Sequence, residues 1–181
     1  MSKPIKILIV SLSIILVFII GVSLFYQLRR DYKFIEVDNN TRQMYINYLN
    51  KQVASKLGYS SKQEIRTMLE AELDFKNYIY KEGIVENGGY SVATLRYIKI
   101  DKNLNIEQYC IVLCHEMCHI KYFTGNEIYT QFMAFKTLYE SDNEELKQAG
   151  TWFGIYVLNR GYSNNYDCSK LIIDYLKERL C

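Results

Sequence analysis

Apolar positions along this chain form one long unbroken run followed by a series of short periodic stripes. From Ile7 to Leu28, 22 consecutive residues carry no charge and are mostly Ile, Leu, Val and Phe. As a helix they would extend about 33 Å, enough to cross the hydrocarbon core of a bilayer. The run predicts a single transmembrane anchor over residues 1–30 and one domain over 31–181. A cleavable signal peptide ordinarily has a shorter apolar core ending at small residues. Here the nearest such site, Gly21-Val22-Ser23, is followed by more large apolar side chains.

After the anchor the pattern changes to helical stripes with caps. Asn39-Asn40-Thr41 offers an N-cap for a helix carrying Ile46, Leu49, Val53 and Leu57, with Gly58 as its stop. Ser61-Lys62-Gln63-Glu64 has the form of a capping box and opens a second helix with Ile65, Leu69 and Leu73 on one side, expected to end near Gly83. Asn87-Gly88-Gly89 is a turn signal between Ile84-Val85-Glu86 and the β-branched and aromatic stretch Tyr90–Asp101, which predicts a hairpin or small antiparallel sheet. If Thr94–Ile100 forms a sheet edge, its free backbone groups could pair with an extended peptide; a covered strand is the equal alternative.

Asn105 and Gln108 form a further box, which starts a helix expected to reach about Phe123. Thr124-Gly125-Asn126 then turns the chain into a helix beginning at Glu127. Ser141-Asp142-Asn143-Glu144 predicts another start, with Leu146, Ala149, Phe153 and Tyr156 inward and Trp152 packed beside them. Gly161 is expected to end it. A last helix after Ser163-Asn164-Asn165 carries Ile172, Leu176 and Leu180. The fold class expected is α+β, mainly helical, with a small antiparallel β-sheet before the central helix.

Charge narrows the partners. Past residue 30 all 20 acidic residues face 18 of the 22 lysines and arginines, so no basic field points to nucleic acid. The only proline is Pro4, which leaves the domain free of helix breakers. Lys3 and Lys6 before the apolar run and Arg29, Arg30 and Lys33 after it give no orientation bias. Five cysteines, an odd number without the spacing of a secreted disulfide framework, fit a reducing compartment. Cys110, Cys114 and Cys118 recur every four residues on the central helix, where core packing competes with a second metal site.

The chemistry lies on that helix, in His115-Glu116-Met117-Cys118-His119. These are the only two histidines in the protein. Helical geometry places both imidazoles on one face, one turn apart, where they can share a metal ion. Glu116 points beside that position and can take a proton from metal-bound water, the arrangement of a metalloprotease helix. The alternative is two histidines that merely sit in a surface or core. A catalytic zinc (Zn2+) commonly has three protein ligands. The short turn brings Glu127 close to His119, which makes Glu127 the candidate third ligand. Glu140 competes for the role but lies 13 residues further along the same helix, about 20 Å away. Gln131, one turn after Glu127, could hold the ligand carboxylate. Glu127 could instead be a helix-start carboxylate favoured by the macrodipole.

From His115 to Gln131 the chain resembles the gluzincin metallopeptidases, whose pattern is HExxH followed by a glutamate ligand. Asn126-Glu127-Ile128-Tyr129-Thr130-Gln131 is similar to the Asn-Glu-x-x-Ser-Asp segment of thermolysin-like members, with Gln131 where they have aspartate. The spacer between His119 and Glu127 is much shorter than theirs and closer to short bacterial and phage-type peptidases. Metzincins fit poorly, since Tyr122 and Gly125 stand where they have glycine and a third histidine. The resemblance implies zinc-assisted hydrolysis of a peptide or protein substrate, with Glu116 as general base. The oxyanion donor would be a tyrosine, an arginine or a backbone N–H; Arg160 and Tyr162 follow the active-site helices. The expectation is therefore a membrane-anchored zinc metallopeptidase. Its rivals are a non-catalytic zinc-binding membrane protein and a metal-free helical interaction module with a tyrosine-rich surface.

Overall fold

The computed structural model describes residues 36–53, 60–160 and 167–180. These contain six α-helices and three strands: α1 Asn39–Asn50, α2 Lys62–Glu72, β1 Ile79–Gly83, β2 Gly89–Val92, β3 Tyr97–Asp101, α3 Ile106–Lys121, α4 Glu127–Glu140, α5 Glu144–Asn159 and α6 Ser169–Leu180. All belong to one unit, Phe34–Cys181. The expected anchor over Ile7–Leu28 lies outside the described residues, and among those described no helix is long and apolar enough to cross a membrane.

Local chemistry sets most helix starts. Ser61 and Glu64 bond reciprocally at the start of α2, and Asn105 and Gln108 do the same for α3. Asp38, one residue before the expected cluster, caps α1: its carboxylate accepts from the Thr41 amide at 2.9 Å and from the Thr41 hydroxyl at 2.6 Å. At α5 the cap is Asn143, which accepts from the amides of Glu145 and Leu146. The expected box on Ser141 does not form, because the Ser141 hydroxyl donates to Glu72 at 2.7 Å and ties α2 to this turn.

Two expectations about the middle of the chain are corrected. Helix α2 stops at Glu72 and not near Gly83, because Asp74 adopts φ +43° and its neighbours close the helix end: the Phe75 amide donates to the Glu70 carbonyl at 2.8 Å. The sheet is mixed, in the order β1-β3-β2, with β1 and β3 parallel and β2 and β3 antiparallel. Ile84-Val85-Glu86 is loop, and Tyr90–Asp101 is two strands broken at Ala93–Leu95 and Arg96. Arg96 sits in the left-handed region, φ +46°, and its guanidinium donates to the carbonyls of Lys76 and Asn77, which anchors the bend. Strand β3 takes the centre because Ile98 and Ile100 alternate toward the core and are fully buried.

The core lies on the inner side of the sheet and between the helices. Helix α3 contacts the sheet, α2, α4 and α5, so the HEMCH segment runs through the middle of the unit. Cys110, Cys114 and Cys118 are buried, free thiols in this core, as packing predicts; burial pushes the Cys110 thiol up to about 12. On α5, Leu146, Ala149 and Phe153 face inward as expected, but Tyr156 and Trp152 are exposed. Gly150 and Gly154 occupy the inner face in their place, against the α4 backbone at Leu138–Tyr139 and against Phe135 and Leu49. On α6, Ile172 and Leu176 are buried while Leu180 is exposed.

Candidate metal centre

Helix α3 presents His115 and His119 one turn apart, with their rings edge to face at 4.6 Å between centroids. The Nε2 atoms approach to 3.0 Å. Past Lys121 the helix closes in a Schellman turn: the Phe123 amide donates to the Ile120 carbonyl at 3.3 Å and the Thr124 amide to the His119 carbonyl at 3.1 Å. Phe123 holds the left-handed position usually given to glycine, φ +47°, and its side chain is exposed. This turn and the Asn126 cap, whose side chain accepts from the Tyr129 amide at 2.9 Å, aim the first residue of α4 back at the histidines.

That first residue is Glu127. Its Oε2 lies 3.2 Å from Nε2 of His115 and its Oε1 lies 3.3 Å from Nε2 of His119. Among the described residues, His115, His119 and Glu127 form the cluster able to hold a metal ion, each offering one ligand atom within 4.8 Å of the others. The donors fit such an ion. With bonds of about 2.0–2.2 Å in tetrahedral geometry, neighbouring ligand atoms stand about 3.3 Å apart. Two imidazoles with one carboxylate suit first-row transition ions and not calcium or magnesium, which take oxygen ligands.

Electrostatics reinforce the convergence. Burial alone would push the Glu127 carboxyl up, but the His115 and His119 rings against it outweigh burial and hold it well below the usual carboxylate range. Burial works to depress His119, and here contact with Glu127, the Thr124 carbonyl and the charges of Glu127 and Glu116 outweigh it and raise the imidazole above its ordinary value.

Glu116 stands outside the cluster, 7% exposed, and makes no hydrogen bond or ion pair to any described residue. Its carboxylate oxygens are not among the polar atoms sealed from solvent without a partner, and its charge favours the protonated form of the His119 imidazole. Glu140 is engaged elsewhere: it accepts from the Tyr175 hydroxyl at 2.8 Å and pairs with Arg179. Gln131 is half-buried and makes no hydrogen bond to Glu127 among the described residues. Arg160 is the C-cap of α5 with its guanidinium over the Tyr156 ring, and Tyr162 lies outside the described residues.

Two residues to which the sequence assigned no role at the site, Thr124 and Thr130, touch it. Nδ1 of His119 lies 2.8 Å from the Thr124 carbonyl oxygen and 3.2 Å from Oγ1 of Thr130. Thr130 enters the sequence reading only as part of the Asn126–Gln131 segment, and nothing local to that segment shows that the fold sets it against His119. No protein-family model, curated protein or solved structure matches the chain.

Proposed function

We propose that this protein is a membrane-anchored zinc metallopeptidase. The observation that carries the reading is the convergence of His115, His119 and Glu127, with an unpartnered and nearly buried Glu116 beside them. Zinc is favoured over other ions because it is commonly held by three such ligands with a fourth position left open. The apolar run Ile7–Leu28 supports attachment to a bilayer.

Bound there, zinc would act as a Lewis acid toward a peptide carbonyl and lower the pKa of a coordinated water. The protein's own part falls to four side chains. His115 and His119 orient the ligand nitrogens from one rigid helix. Glu127 brings a negative charge that offsets part of the ion's charge and remains ionised in the folded protein. Glu116, with no competing partner, is free to accept the proton of the attacking water and deliver it to the leaving amine.

The test is cleavage of a mixed peptide pool by the full chain in detergent, with and without chelator. The wild type is expected to cut in a chelator-sensitive manner. Glu116→Gln is expected to retain metal and to lose about 10²–10⁴-fold in rate. A Glu116→Gln protein cutting at the wild-type rate would remove the proposed general base.

A further inference from the structure

Each imidazole has two nitrogens, and a metal can use Nε2 only if that atom carries no proton. In a neutral ring this requires the proton on Nδ1. The structure differs sharply between its two histidines in this respect. Nothing among the described residues hydrogen-bonds to Nδ1 of His115. Nδ1 of His119 faces two oxygens, the Thr124 carbonyl at 2.8 Å and the Thr130 hydroxyl at 3.2 Å.

The Thr130 hydroxyl would be ambiguous by itself, since it could either donate to a bare Nδ1 or accept from a protonated one. Its proton is already committed. Oγ1 of Thr130 donates to the Asn126 carbonyl at 2.8 Å, the bond that stitches the first turn of α4. Oγ1 therefore presents only lone pairs to His119, and the Thr124 carbonyl has nothing else to present. A bare Nδ1 would face two acceptors at hydrogen-bond distance in a site where Thr130 is fully buried. One proton on Nδ1 satisfies both contacts, whereas Nε2 faces a single acceptor, Oε1 of Glu127, at the longer distance of 3.3 Å. The two oxygens at Nδ1 therefore hold the proton of the neutral ring, and Nε2, 3.0 Å from Nε2 of His115, is the nitrogen left for a metal.

We infer that Thr130 is a positioning residue of the metal centre: its hydroxyl, fixed by the Asn126 carbonyl, holds His119 in the Nδ1–H tautomer and makes it the preorganised ligand of the pair. His115, with a free Nδ1, is the ligand that adjusts. This deepens and rests on the proposed metal site, although the tautomer itself is a property of the metal-free protein. The same turn serves both ligands, because Asn126 caps the helix that begins with Glu127 while its carbonyl orients Thr130. A histidine ligand whose other nitrogen is held in this way gains basicity and loses rotational freedom.

The experiment is a nitrogen-15 NMR measurement of imidazole tautomers in the metal-free full chain in detergent, at a pH where the rings are neutral. With two histidines in the protein, and His115→Gln to assign them, the spectrum is simple. Wild type and Thr130→Ser are expected to show His119 as the Nδ1–H tautomer. Thr130→Val keeps the branched shape and the Thr130 amide bond to the Asn126 carbonyl at 2.9 Å, and is expected to show a mixture. Zinc titration of the same proteins is expected to give about 10–100-fold weaker binding for Thr130→Val and near wild-type binding for Thr130→Ser.

An Nε2–H tautomer for wild-type His119 would overturn the inference, and that readout stands even if Thr130→Val does not fold. So would an unchanged tautomer in folded Thr130→Val, or unchanged zinc affinity despite a changed tautomer. A wild type with the expected tautomer that takes up no zinc would overturn the metal role, and with it the proposed function, while leaving the hydrogen-bond geometry standing.

Discussion

Oε1 of Glu127 lies 3.3 Å from Nε2 of His119, across the turn that joins α3 to α4. This contact links stability to pH in the metal-free protein. Glu127 is held below its ordinary 4.5, so its contribution is full above that pH and is lost as pH falls through the folded value. His119 is raised above its ordinary 6.5, so its contribution is full below that pH and is lost as pH rises through the folded value. Both are present together between 4.5 and 6.5. Thermal melts in chelator should show the advantage of wild type over Glu127→Gln to be greatest in this window and to shrink toward higher pH. An advantage that keeps growing toward pH 8 would contradict the pairing.

Arg42 makes the second prediction. It is buried at the start of α1, donates to the carbonyls of Val37 and Leu158 and to the Ser169 hydroxyl, and pairs with the buried Asp167 at 2.7 Å. It thereby joins α1, the end of α5 and the start of α6. Arg42→Met leaves the buried Asp167 without its cation, with only the Ser169 amide and hydroxyl still donating to it, and is expected to cost about 3–5 kcal/mol. The double variant Arg42→Met with Asp167→Leu should recover part of this in chemical denaturation. Equal stability of the single and double variants would show that the pair is not coupled.

The elements that could be read from the sequence are those whose cause is local. The Ser61–Glu64 and Asn105–Gln108 boxes and the Asn126-Glu127 start depend on residues three positions apart, and the two histidines share a face by helical geometry alone. Glu127 was within reach because a short turn leaves little freedom. What escaped depends on distant partners. The parallel pairing of β1 with β3 joins segments on either side of β2, and no local pattern encodes it. Asp74, Arg96 and Phe123 end their elements in left-handed backbone without glycine, each held by surrounding bonds. Thr130 is one of many helical threonines until the fold places His119 against it.

Gly150 shows the same dependence on context and gives a third prediction. In isolation Gly→Ala inside a helix stabilises by up to about 1 kcal/mol. A Cβ here would lie 2.4 Å from the Tyr139 amide nitrogen and 2.7 Å from the Leu138 carbonyl carbon, both backbone atoms that cannot swing aside. Gly150→Ala is therefore expected to destabilise by about 1–3 kcal/mol through separation of α4 and α5. A denaturation midpoint at or above wild type would show that the two helices are not so closely packed.

The central claim is that His115, His119 and Glu127 hold a catalytic zinc, and zinc content tests it most directly. The full chain, purified in detergent without chelators and supplied with zinc, should carry about one ion per chain, with His119→Ala losing it and Glu127→Ala binding it more weakly. A folded wild type that takes up no zinc, or a His119→Ala protein that retains it fully, would contradict the account.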